Sequence, residues 1–178
     1  MRIPLSLVLT ASALTAVALG GDIAADFPAR KPGQWELTQN NGQRKLPPQV
    51  QRICLDAATD ALLYKFGTGA AHQICSKLDV HRGADTVAVD SVCRFGDSQL
   101  TSHSVYTYSG NTAYHEVVNV HYDPPLRGKT SDSQTVVDAK WLAACPADMK
   151  PGDMVNQPTP MMPVPMRMNL LKMLGQAD

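Results

Sequence analysis

Neither sign of charge is in excess in this sequence: sixteen Lys and Arg balance sixteen Asp and Glu over 178 residues, and no run of like charge occurs. Nucleic acids and anionic membranes are held by clustered basic side chains that release counterions, so this lack removes both as expected partners. Also missing is the machinery of an activated nucleophile. Phe95-Gly96-Asp97-Ser98 contains the Gly-Asp-Ser block of one hydrolase class, yet Ser98 opens a stretch that alternates like a strand. No Asp-x-x-His follows near the C-terminus to supply the base that a serine hydroxyl requires. The block reads as a hairpin turn, no catalytic residue and no cofactor are expected, and hydrolysis at Ser98 is the third and last functional reading.

What is present begins with Met1-Arg2 and the uncharged, Leu-, Ala- and Val-rich run Ile3 to Leu19. A basic start, an apolar stretch and small residues near Ala18 to Ala25 form the pattern of an export signal. The run is marginal for spanning a bilayer, and no cysteine stands near the cleavage region to carry a lipid. Residues 1–24 are therefore expected to be a signal peptide, and the remainder a periplasmic protein with no integral membrane span. Residues 25–155 are enough for a single domain, with 156–178 as a tail.

All four cysteines follow the signal, and in an exported chain an even number reads first as disulfides, with three connectivities possible. The preferred one joins Cys75 to Cys93 and Cys54 to Cys145, because a hairpin turning at Gly83-Ala84 brings Cys75 within a residue of the position opposite Cys93. A two-residue loop puts Cys75 opposite Val92 instead, so the bond demands a bulge or a longer loop. The alternative, a metal site of Cys54, His72, Cys75 and Cys93, follows no zinc spacing.

The stretch from Ile74 to Tyr122 alternates apolar and polar residues through four segments, Ile74 to Arg82, Thr86 to Arg94, Ser98 to Tyr108 and Thr112 to Tyr122. Turns at Gly83-Ala84, Gly96-Asp97 and Ser109-Gly110-Asn111 make this an antiparallel meander. Those loop lengths place Leu78 opposite Val89, Val80 opposite Val87, Val87 opposite Tyr106, Cys93 opposite Leu100, Tyr106 opposite Tyr114 and Leu100 opposite Val120. One face is then apolar, and the other mixed, with His81, His103, His115 and His121.

Before the meander, Gln34 to Gln39 alternates around Trp35 as a first strand, while Leu46-Pro47-Pro48 argues for loop or edge over Gln43 to Arg52. Asp56 is a good N-cap for a short helix from Ala57 to Phe66, which Gly67 is expected to end. Gln134 to Cys145 reads as a last strand lying beside the first. The expected fold is all-β: a meander forming an open or closed lipocalin-like barrel, with one short helix and an extended C-terminal tail. A two-sheet sandwich is the runner-up.

From Pro146 to Asp178 the composition shifts to six of the thirteen prolines and seven of the eight methionines. Asn169 to Leu174 is spaced for a helical turn or two. The segment from Gln157 onward is expected to be poorly ordered, because its prolines remove backbone donors.

Taken together, Ala25 to Glu36 (with Pro32-Gly33-Gln34-Trp35-Glu36), Ile53-Cys54-Leu55-Asp56, Cys75-Ser76-Lys77, Val92-Cys93 and Ala139-Lys140-Trp141-Leu142 before Cys145 resemble the bacterial exported family called domain of unknown function 3617. The resemblance covers nearly all of the chain beyond the signal. It implies a small periplasmic domain and supplies no catalytic residues.

The leading expectation is thus a non-enzymatic periplasmic binding or envelope-accessory module for a small apolar ligand or an envelope protein. Candidate pocket residues are Trp35, Val87, Val89, Tyr106, Tyr114 and Trp141, with tyrosine hydroxyls edging an apolar lining. The alternative is copper handling, through the thioethers of Met161, Met162, Met166 and Met168 together with His103 and His115.

Overall fold

In a computed structural model of the protein, the described residues are 27–42, 47–126, 130–159 and 163–175. The expected signal peptide, Met161 and Met162 lie outside them. Eight of the strands alternate with turns or a helix in chain order: β1 (Gly33–Asn41), β2 (Gln49–Leu55), α1 (Ala57–Ile74), β3 (Cys75–Arg82), β4 (Thr86–Phe95), β5 (Ser98–Ser109), β6 (Ala113–Asp123), β7 (Asp132–Ala143) and β8 (Asp153–Asn156). The short β9 (Met166–Asn169) and α2 (Leu170–Met173) follow. All nine strands join one antiparallel sheet in the order β3-β4-β5-β6-β7-β1-β2-β8-β9. The meander is there, and β7 lies beside β1 as its alternation suggests. Because β3 and β9 are the two edges, the sheet is open, and neither a closed barrel nor a two-sheet sandwich forms.

The apolar face of that sheet is covered by α1. This helix starts after β2 and ends directly in β3, and those two strands stand six positions apart in the sheet. Six inter-strand steps span roughly 29 Å, and eighteen helical residues span about 27 Å, so α1 has the length of a strut laid across the face. It runs past Gly67, where the sequence suggests a stop. Gly in a helix interior costs about 1 kcal/mol relative to Ala. Packing of Leu63 onto the core and the Cys75 amide bond to the Ala71 carbonyl hold the helix on both sides of it.

Three further expectations are corrected. The segment expected as loop or edge contains β2, an interior strand paired with both β1 and β8. Pro47 and Pro48 precede its first ladder residue, so they remove no ladder donor. In the β3-β4 hairpin, residues 83–86 separate the paired Arg82 and Val87, and the Gly83 amide donates to the Thr86 carbonyl at 2.8 Å. In the β5-β6 hairpin the loop is 110–112 rather than 109–111. Each difference slides the register by two, so Val80 faces Val89 and Leu78 faces Ser91, while Tyr106 faces Glu116 and Leu100 faces Tyr122. A two-residue slide keeps every side chain on its face. The β4-β5 turn is as expected: Gly96 has φ of 59° and Asp97, like every described non-glycine residue, does not have positive φ, the sign pattern of a type II′ turn.

Both disulfides join the expected cysteines, Cys54 with Cys145 and Cys75 with Cys93. The register between β3 and β4 shifts between Cys75 and Lys77, the bulge that this pairing demands. Such bonds belong to an oxidising compartment. No helix among the described residues is long and apolar enough to cross a membrane.

The tail is the largest correction. Its described residues are ordered elements: β9 pairs with β8 from Asp153↔Asn169 to Asn156↔Met166, and Asn169 caps α2 by accepting from the Lys172 amide at 3.1 Å. Leu170 packs against the core cluster of Trp35, Ile53, Leu55 and Ala139. Leu171 lies so close to Gly152 that its Cγ would stand 2.8 Å from any Cβ there, and Gly152 also has φ of +85°. A boundary at residue 155 therefore cuts through β8. Deleting residues after Gln157 should remove three half-buried leucines, Leu170, Leu171 and Leu174, and a strand, a loss of about 2 kcal/mol or more. For a chain of this size that is several degrees in Tm, measurable by calorimetry, and an unchanged Tm would mean that α2 is undocked in solution.

Candidate functional site

The deepest packing, around Trp35, Ile53, Leu55 and Ala139, sits in the β1-β2-β7 half of the sheet. Over β3 to β6 the helix covers the apolar face without filling the space beneath it. A cavity of about 390 Å³ remains, floored by Leu78, Val80, Val89 and Ser104 and roofed by Leu63, Tyr64 and Ala71. Its walls are Phe27, Tyr106 and Tyr114, and two charged side chains, Arg30 and Glu116, also reach it. A mostly apolar hollow of a few hundred Å³ with a few polar groups is the usual form of a small-molecule site.

The lead-in to β1 explains why Arg30 is there. Two indoles pin this segment: Trp35 Nε1 donates to the Lys31 carbonyl at 2.8 Å, and Trp141 Nε1 donates to the Pro32 carbonyl at 2.9 Å. Lys31 Nζ stands 3.6 Å from the Trp141 ring centroid, a cation–π contact. Gly33, at φ +137°, leaves no room for a Cβ, which would collide with the Ala143 carbonyl and the Trp141 indole. The Pro-Gly-x-Trp run is thus a clamp that fixes the residues just before it.

Arg30, held by that clamp, meets the first turn of α1. Asp56 caps the helix by accepting from the Thr59 amide at 2.7 Å, and hydrogen bonding to the Thr59 side chain, then to its amide, holds the carboxyl below the usual range. Asp60, in the same first turn, takes both the Arg30 amide at 2.9 Å and Arg30 Nε at 2.6 Å. The pair is buried, with side-chain exposures of 9% and 4%. Burial works against the Arg30 charge, but Tyr64, Tyr114 and Asp60 outweigh it and raise its pKa. The guanidinium also lies over the Tyr64 ring at 5.0 Å.

The aromatic wall is continuous. Phe27 stacks on Tyr64 at 4.7 Å and meets Tyr106 edge-on at 5.4 Å. Tyr114 connects Tyr106, at 6.1 Å, to Trp35, at 6.2 Å. Burial pushes the Tyr114 hydroxyl up to about 12 and raises Tyr64, Tyr106 and Tyr108 as well. All four phenols are therefore neutral donors at any ordinary pH. Glu116 sits directly opposite Tyr106. Burial raises its pKa against the opposing pull of a Tyr106 hydrogen bond and of Arg30.

Of the sequence-derived pocket candidates, Val89, Tyr106 and Tyr114 line the cavity. Val87 and Trp35 share the same face but are sealed at 0% and 1% exposure, and Trp141 packs beside the core under Lys31. The metal candidates among the described residues are not brought together. His103 and His115 project from the opposite face, each 2.8 Å from an aspartate, Asp90 and Asp138. Met166 and Met168 are on β9 at positions two apart, so they share one face of the strand, and Met166 is exposed. Among the described residues no group of three or more His, Cys, Asp or Glu side chains converges. Ser98 is buried at the head of β5, next to its turn.

Sequence reasoning missed Phe27, Arg30, Asp60, Tyr64 and Glu116. Signals existed for two of them. Asp60, Leu63, Tyr64 and Ala71 share one helical stripe, so an acid lies inside an apolar row, and Glu116 occupies an inward position between Tyr114 and Val118.

No curated protein and no solved structure matches the chain. Residues 30–145, from the arginine of the pocket to the last cysteine, match the family described as protein of unknown function (DUF3617), and the chain belongs to that family.

Proposed function

We propose that this protein is an exported, non-enzymatic binding module of the periplasm that holds a small, largely apolar molecule between α1 and the sheet. The observation that carries the reading is the cavity of about 390 Å³ with an apolar floor and an aromatic wall. Core positions of a purely structural domain are close-packed, with few voids larger than a water molecule. The two disulfides support an extracytoplasmic location.

Native mass spectrometry of the protein recovered from its own periplasm tests this. The expected spectrum shows a mass above that of the disulfide-bonded polypeptide, released on denaturation. The excess should be missing from Val89→Trp, whose indole occupies the hollow. Polypeptide mass alone for the wild type, with no uptake of an added small apolar compound, would falsify the pocket reading.

A further inference from the structure

We propose that the molecule taken up is an organic ammonium, its charge met by the Glu116 carboxylate and its near surface by the rings of Tyr106, Tyr114, Phe27 and Tyr64. The inference rests on the ligand-pocket reading and adds the charge class of the ligand.

The charges around the hollow are unevenly matched. Arg30 is answered by Asp60 through two hydrogen bonds, so that pair sums to zero. Among the described residues Glu116 has no basic group at ion-pair distance. Its polar neighbour is the Tyr106 hydroxyl, with a lesser attraction from Arg30. A carboxylate in apolar surroundings either stays protonated or acquires a counter-ion. The site offers a cation what it needs, because the remaining walls are aromatic faces, which attract ammonium groups as they desolvate them. Arg30 over Tyr64 is one such contact already made within the protein. An anion would find Arg30, the basic group among the described residues that line the cavity, engaged and a carboxylate facing it.

Protonation supplies a signature. Burial raises the Glu116 carboxyl from its ordinary value, and a bound cation favours the ionised form. Affinity for a cation should therefore be weak at low pH and rise as pH passes through the Glu116 titration. Facing Glu116 are Tyr106 from β5, Tyr114 from its own strand, and Arg30 with Asp60 and Tyr64 from the lead-in and α1. No histidine lines the cavity.

Calorimetric titration with hexyltrimethylammonium, 1-hexanol and hexanoate separates the possibilities, since the three share an alkyl chain and differ in the charge of the head. The cation is expected to bind at least about tenfold more tightly than the alcohol. Glu116→Gln should abolish that difference. Should this variant not fold, the wild-type pH series from about pH 4 to about pH 8 carries the same information, because a quaternary ammonium has no titrating proton. A pH-dependent affinity for the cation and a flat one for hexanol support the proposal. Equal binding of all three, or preference for hexanoate, overturns the ammonium while leaving the pocket intact. Failure of all three to bind overturns both.

Discussion

Replacing Cys54 and Cys145 together with Ala is expected to lower the unfolding free energy by about 4 kcal/mol, or on the order of 10–15 °C in Tm. The bond joins residues 91 apart, so in the chain-entropy view it removes much of the freedom of the unfolded chain. The loop it closes holds α1 and every strand from β3 to β7, so the chain entering α1 and the chain leaving the meander after β7 are tied at one place. That place is also the best-packed part of the molecule, since Cys54 is fully buried in β2 beside Ile53 and Leu55. The Cys54 carbonyl accepts from the Gly152 amide at 2.8 Å, where the chain turns into β8. Loss of the bond thus loosens the docking of β8 and β9 as well. The Cys75–Cys93 bond spans only 18 residues and its partners already face each other in a hairpin ladder, so the corresponding double variant should be the milder one. Guanidinium unfolding of both oxidised double variants gives the comparison. A loss below about 1 kcal/mol for Cys54/Cys145 would mean that the sheet holds its ends without the bond.

Why the order of strands was legible while the pocket was not follows from the kind of signal each leaves. Alternation with period two survives in β3 to β7, glycines mark the turns, and Cys75 and Cys93 supply a distance constraint. A two-residue slide leaves the faces unchanged, so periodicity cannot detect it, and the slide at residues 110–112 is what sets Glu116 against Tyr106. The helix was cut short because Gly67 is a stop signal only when packing does not override it. β2 is made an interior strand by β8, far along the chain, and the four-residue β9 has too little pattern to announce itself. Arg30 and Asp60 are thirty residues apart, each unremarkable locally, and only the clamp of Trp35 and Trp141 on the lead-in brings them together. The clamp residues were conspicuous as the Pro-Gly-x-Trp run. Their consequence was not, because it acts at Arg30, two residues upstream of the motif.

That buried pair carries the other large effect. Asp60→Ala should destabilise the protein by about 3–5 kcal/mol, since it leaves the Arg30 guanidinium under α1 without its counter-ion. Attraction between the two charges is not by itself the source of this figure. Desolvating both ions offsets much of the Coulomb gain, and the severity comes from abandoning one charge in a place that excludes water. The double variant Arg30→Met/Asp60→Leu removes both charges and keeps apolar volume, so its loss should fall well short of the sum of the single variants, a positive coupling in the double-mutant cycle. Asp60→Asn should lie between, because its amide oxygen still accepts from the Arg30 backbone amide while the charge is gone. Urea unfolding of these variants decides the matter. Additive losses would show that Arg30 and Asp60 do not depend on each other in solution, and the pocket would then contain an unmatched arginine beside Glu116. In that event the charge count no longer favours a cation, so the stability cycle and the ligand titration test one arrangement from two sides.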